Sequence, residues 1–142
     1  EMAVHSFFMT PCIFCRTAKK EIPAYTVYED NHFLAFLDVR PKNPGHTMII
    51  PKNHYRWVWD VPDNEMGKYA QVVQKVANAL KKAHQTELVI SIVLGEEVPH
   101  AHIHLIPRFP NDGHGVLLDM SLNRTIPPEE MKQIAESIKS FL

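Results

Sequence analysis

The chain has 142 residues, which suits one compact domain and leaves little room for two. An apolar fraction of 45%, a charged fraction of 22% and a net charge of −1 exclude wholesale disorder and nucleic-acid binding driven by bulk charge. No apolar run approaches the roughly 20 residues of a membrane helix, so neither a nucleic acid nor a membrane is an expected partner. Eleven prolines stand against five glycines, so glycine-rich phosphate loops are scarce, whereas nine histidines and two cysteines mark where the chemistry lies.

In chain order, residues 1–10 lack the positive start and long apolar core of a secretory signal. They are set aside as an added or disordered N-terminal segment, with one domain expected over residues 11–142 of a cytoplasmic protein. Cys12 and Cys15 form Cys-x-x-Cys, which in a chain without an export signal reads as metal or redox chemistry. Residues 25–28 and 32–38 read as strands, joined at Asp30-Asn31 by a turn that lacks the favoured glycine. Residues 38–45, rich in Pro, Asn and Gly, form a loop, and residues 46–50 a third strand closed by Pro51. Residues 63–84 form the longest helix, with Met66, Tyr69, Val73, Val76, Leu80 and Ala83 at helical spacing and Asp63 as its N-cap. Residues 88–94 read as a buried β-branched strand and residues 101–107 as a fifth strand. Pro127-Pro128 opens a helix that places Met131, Ile134, Ile138 and Phe141 on one face. Strands and helices do not strictly alternate, so the fold class is α+β, with an antiparallel five-stranded sheet and two main helices.

Within Val98-Pro99-His100-Ala101-His102-Ile103-His104-Leu105, side chains on a strand alternate faces. His100, His102 and His104 therefore share one face, and Ala101, Ile103 and Leu105 turn to the core. Three histidines on one face are costly to hide, since each ring carries two polar nitrogens. Two readings remain: a metal site, or a catalytic surface on which neutral imidazole serves as nucleophile and base. Trp57 and Trp59 fit a core or an interface equally well. His5, His32, His84 and His114 read as ordinary surface residues, His84 at a helix end where a cation favours the dipole.

His100-Ala101-His102-Ile103-His104-Leu105-Ile106 resembles the signature of the histidine triad (HIT) family. Further landmarks occur in family order: Cys12-Ile13-Phe14-Cys15, Glu21-Ile22-Pro23, Val27-Tyr28-Glu29-Asp30, Ala35-Phe36-Leu37-Asp38 and Pro44-Gly45-His46-Thr47-Met48-Ile49-Ile50-Pro51-Lys52-Asn53-His54. The resemblance implies a HIT-fold nucleotide hydrolase, similar to a HINT-like bacterial branch and usually a homodimer that joins two five-stranded sheets. Its substrates would be conjugates of purine-type nucleoside monophosphates: phosphoramidates, dinucleoside polyphosphates and relatives. It makes His102 the nucleophile, His104 and His46 the supporting histidines, and places Asp38 and Val39 at the ribose and base. A nucleotidyltransferase, or a nucleotide-binding scaffold with vestigial catalysis, is the alternative.

Cys12, Cys15, His54 and His100 make a Cys₂His₂ set suited to structural zinc, and one branch of the family binds zinc with residues at these positions. Many relatives carry Gly-Gln-Ser or Gly-Gln-x before the triad, whereas this chain has Gly95-Glu96-Glu97-Val98-Pro99. Glu97 then stands near the leaving group, either as a proton donor or, the favoured role, as an ionised carboxylate holding the loop through backbone amides.

Overall fold

The computed structural model describes residues 12–142, so the expectations for residues 1–10 lie outside the described residues. In chain order the elements are α1 (Ile13–Ala18), β1 (Thr26–Glu29), β2 (Phe33–Leu37), β3 (Thr47–Pro51), a single 3-10 turn (Val58–Asp60), α2 (Asp63–His84), β4 (Val89–Ile92), β5 (Ile103–Pro107) and α3 (Pro128–Lys139). The five strands form one antiparallel sheet in the order β1-β2-β3-β5-β4. The α+β class therefore stands, with α2 and α3 as the two main helices.

The β1–β2 turn manages without glycine because the Asp30 carboxylate accepts from the backbone N–H groups of His32 and Phe33, at 2.7 and 2.8 Å. Every residue of β2 and β3 is buried, because the sheet is covered on both faces. Phe33, Ala35, Leu37 and Ile49 pack with Tyr69, Val76 and Leu80 of α2 and with Met131 and Ile138 of α3. The Tyr69 hydroxyl donates to the Ile49 carbonyl at 2.6 Å, which ties α2 to the sheet. On the other face Leu34, Phe36, Met48 and Ile50 pack against Phe14 of α1. Six residues are too few to display a helical period, so α1 is not legible as a helix in the sequence. Cys12 starts it, its Sγ accepting from the Cys15 N–H at 3.3 Å.

Several expectations change. Helix α2 is capped by Pro62, with Asp63 its first helical residue; acidic Asp63 and Glu65 still face the positive end of the helix dipole. Residues 88–94 shorten to β4 and are not buried: β4 is the sheet's edge, paired only with β5, and Leu88 is 54% and Leu94 48% exposed. A run of β-branched residues signals a strand but not its place in the sheet. Phe141 lies past the end of α3 and is exposed, and Ala135 takes the buried position beside Met131 and Ile138. Trp57 and Trp59 are exposed rather than core, with the Arg56 guanidinium 3.6 Å above the Trp57 ring. His84 is no surface cation. It packs on Phe109, its Nε2 is buried without a partner, and burial lowers its pKa, which favours the neutral ring. Gly45 answers it: at φ +90°, a Cβ there would lie 2.2 Å from His84 Nε2. That close approach threads the loop into His46.

Candidate active site and metal centre

Regular pairing in β5 begins at Ile103, so His100 and His102 precede the strand rather than belong to it. The alternation persists nonetheless. Ala101, Ile103 and Leu105 join the α2-side core, and the three histidines turn to the face that α1 covers. Phe14 of α1 meets both the His100 and the His102 rings edge-on, with centroids 6.0 and 5.2 Å away. His102 is thereby left 4% exposed.

Backbone partners fix which nitrogen of each ring is available. His102 Nδ1 lies 2.8 Å from the His100 carbonyl, which can only accept, so Nδ1 carries the proton. In neutral His102 the bare nitrogen is then Nε2. His46 enters β3 from the 38–45 loop, and its Nδ1 accepts from the Lys42 backbone N–H at 3.0 Å. His46 Nε2 therefore holds the proton and donates to His104 Nδ1 at 2.9 Å. His104 in turn carries its proton on Nε2. The His102 and His104 rings stand T-shaped, with centroids 4.9 Å apart. The result is a bare nitrogen on His102 beside an N–H donor on His104. Burial holds both supporting rings neutral, lowering His46 to about 3 and His104 to about 4, with His104 and His102 respectively adding to the effect.

These rings open into a cleft of about 310 Å³, a size suited to a small molecule. Asp38, Arg40, Lys42, Glu96 and Glu97 line it together with His46, His102 and His104. Asp38 lies 3.6 Å from His46 Nε2. Burial raises the pKa of its carboxyl, and Glu97 pushes the same way against the Arg40 N–H bonded to it. Val39 is 71% exposed and is not among the residues lining the cleft. Among the described residues no hydrogen bond or ion pair engages the Glu97 carboxylate, so the backbone amides expected to hold it do not. Met120 and Asn123 also line the cleft. They fall in a stretch without regular structure, and no sequence motif marks them.

Cys12, Cys15, His54 and His100 converge on the far side of His100, one ligand atom from each lying within 4.8 Å of all the others. His54 Nδ1 and His100 Nδ1 are 3.2 Å apart, Cys12 Sγ lies 3.3 Å from His100 Nδ1, and Cys15 Sγ lies 3.2 Å from His54 Nδ1 and 3.4 Å from His100 Nδ1. Tetrahedral zinc with ordinary bond lengths asks for roughly 3.3 Å between nitrogens and 3.6 Å between sulfur and nitrogen. The set therefore fits zinc with shifts of a few tenths of an ångström. His100 Nε2 donates to the Pro51 carbonyl at 2.8 Å, which leaves Nδ1 as the ligand atom. Both cysteines are free. Burial and the adjacent Cys12 push the Cys15 thiol up to about 12, and a dication is what draws a thiolate from such a site.

The HIT domain family model matches residues 19–111. An uncharacterized HIT-like protein of Methanocaldococcus jannaschii is 45% identical over 109 residues, covering 74% of this chain and 84% of that protein. The adenosine 5'-monophosphoramidase of Schizosaccharomyces pombe is 33% identical over 130 residues, covering 91% and 96%. A zinc-bound histidine triad family protein of Mycobacterium smegmatis superposes with a TM-score of 0.76 at 29% identity, covering 92% of this chain and 91% of that one. No described helix is long and apolar enough to cross a membrane.

Proposed function

Because the chain belongs to the histidine triad (HIT) family, we propose that it hydrolyses conjugates of purine nucleoside monophosphates through a covalent intermediate on His102. The observation that carries this reading is the His102 Nδ1–H bond to the His100 carbonyl, which leaves Nε2 bare beside the His104 donor. Nε2 attacks the α-phosphorus. An Nε2–P bond forms as the bond to the leaving group breaks, and the leaving group departs with a proton. Water then attacks the same phosphorus, the Nε2–P bond breaks, and nucleoside monophosphate is released. The His100 carbonyl steadies the positive charge that the His102 ring acquires. The His104 Nε2–H, set by His46, donates to the phosphoryl oxygens.

The leaving group is an amine rather than a phosphate chain. Among the described residues Glu96 and Glu97, which line the cleft, have no hydrogen-bond or ion-pair partner, so they disfavour a polyphosphate and favour an ammonium. As a carboxylate, Glu97 attracts the departing amine, which takes its proton from solvent. Asp38, in the cleft lining, binds a ribose hydroxyl, and the exposed Val39 next to it in the chain contacts the base. The S. pombe relative, a monophosphoramidase by name, supports the amine reading. Zinc at Cys12, Cys15, His54 and His100 supplies structural cross-linking and no step of the reaction, pinning α1 to the segment that presents His102. The open, apolar edge at β4 supports a homodimer joined sheet to sheet, and light scattering on the purified chain tests that state.

A nucleoside phosphoramidate bearing a fluorescent amine tests the chemistry. The wild-type chain is expected to release the amine and nucleoside monophosphate. His102→Ala is expected to bind the nucleotide without turnover. Binding without turnover by the wild type would favour a scaffold instead.

A further inference from the structure

The loop that controls His46 is held by a part of the chain outside the family match. That match ends at residue 111, yet most of the bonds to the carbonyl oxygens and side chains of Pro41, Lys42 and Asn43 come from residues 112–124, the exceptions being Asn43 Nδ2 to the Pro107 carbonyl and the His46 N–H to the Asn43 carbonyl. The Arg124 backbone N–H donates to the Pro41 carbonyl at 2.7 Å. The Lys42 carbonyl accepts from His114 Nε2 at 2.9 Å and from Arg124 Nε at 3.3 Å. His114 can donate there because its Nδ1 accepts from the Asp119 N–H. The Lys42 ammonium is held by the Met120 carbonyl and Asn123 Oδ1, at 2.6 and 2.7 Å. Asn43, 1% exposed, accepts from Arg124 on Oδ1 and donates to Asp112 Oδ2 at 3.0 Å. Asp112 is itself fixed by Arg108 at 2.8 Å, and Arg124 donates again to the Asp112 carbonyl.

These bonds clamp the two peptide units that flank the Lys42 Cα: the Pro41 carbonyl shares its unit with the Lys42 N–H, and the Lys42 carbonyl belongs to the next. The Lys42 N–H is the donor that makes His46 Nδ1 an acceptor, and so sends the His46 proton to Nε2, and the His104 proton into the cleft. A Lys42 unit free to rotate would leave His46 without that instruction. The two tautomers of a neutral imidazole are otherwise close in energy, so the His104 donor would be present in only part of the population.

We propose that residues 112–124 act as a strap that sets the tautomer of the catalytic relay, with Arg124 and His114 as positioning residues for His46. Arg124 and His114 are not themselves among the cleft-lining residues; they act through Lys42, which is. Its effect runs through one backbone N–H. The catalytic consequence rests on the hydrolase reading above; the structural one does not.

The test uses the full chain with ¹⁵N-labelled histidine in two measurements. In wild type, imidazole ¹⁵N shifts should show His46 Nδ1 as bare and Nε2 as protonated. In the Arg124→Met, His114→Phe double variant, which has no side-chain donor for the Lys42 carbonyl, the two nitrogens should move toward an average. Turnover of the fluorogenic phosphoramidate should then fall by between about tenfold and a hundredfold in kcat, the scale of a misplaced catalytic group, with KM within about twofold. Arg124→Lys in the wild-type background, which keeps a donor for the Lys42 carbonyl, should keep most of the turnover. Should the double variant fail to fold, Arg124→Met alone retains the backbone bond to Pro41 and gives the same two readouts. An unchanged His46 signature, with kcat within about twofold of wild type, overturns the strap. A wild type that never cleaves the phosphoramidate defeats the hydrolase reading alone, because the ¹⁵N shifts still decide whether the strap sets the tautomer.

Discussion

His100 and His102 are two residues apart on one face of the same segment, yet they are prepared for opposite tasks. At His100 the Pro51 carbonyl takes the Nε2 proton and leaves Nδ1 turned to Cys12, Cys15 and His54. At His102 the His100 carbonyl takes the Nδ1 proton and leaves Nε2 turned to the cleft. Side-chain chemistry is identical in the two; the backbone oxygen that claims one nitrogen decides what the other can do. On the function proposed above, one ring binds a cation and the other attacks a phosphorus.

The largest way to break this contrast is at His102. His102→Ala should lower kcat by about a thousandfold or more, as for loss of a covalent nucleophile, while the metal content stays at one zinc per chain. Elemental analysis beside steady-state kinetics separates the two effects. The converse substitution, Cys15→Ser, should spare the bare nitrogen on His102 but lose the zinc. The melting temperature should drop by on the order of 10 °C, and a chelator should reproduce the drop in wild type. Leu80→Ala touches neither histidine. It empties a fully buried site between α2 and the sheet and should cost about 2–5 kcal/mol of stability in denaturant titrations, with turnover per folded molecule preserved.

Acid sharpens the contrast further. His46 and His104 titrate near 3 and 4 in the folded chain, lowered by burial, against about 6.5 when unfolded. Between those values the unfolded chain binds more protons. Their contribution to stability is therefore complete above about pH 6.5 and is lost as pH falls toward 4 and 3. Denaturation midpoints measured from pH 7.5 to 4.5 should fall with pH, and the His46→Gln chain should show a shallower slope. The smallest effect is on selectivity. Glu97→Gln should reduce the preference for a cationic amine over a phosphate leaving group by severalfold at low salt, read as a ratio of kcat/KM values.

The same two regions show what the sequence could reveal. The alternation in 100–105 places three histidines on one face without knowledge of the sheet, because period two is a property of extended backbone and not of sheet pairing. The helix at Asp63–His84 was equally open to reading, since 22 residues sustain a hydrophobic period. Proton placement was not legible. It depends on carbonyls of Pro51 and His100 and on the Lys42 N–H, which every residue type supplies alike. Nor was the burial of His84, which follows from Gly45 approaching it across the fold. The exposure of β4 escaped for a similar reason: a strand's own residues do not say whether it has one neighbour or two. Met120, Asn123 and Arg124 reached the site through a loop whose course no local pattern encodes.

The proposed catalysis requires His102 Nε2 to form a bond to phosphorus, and the stereochemistry at phosphorus tests that bond most directly. A nucleoside phosphoramidate made chiral at phosphorus with sulfur and isotopic oxygen can be hydrolysed to completion and its product configuration read by ³¹P NMR. Two in-line displacements, first by His102 and then by water, predict overall retention. Overall inversion would mean that water attacks directly and would contradict the covalent role of His102.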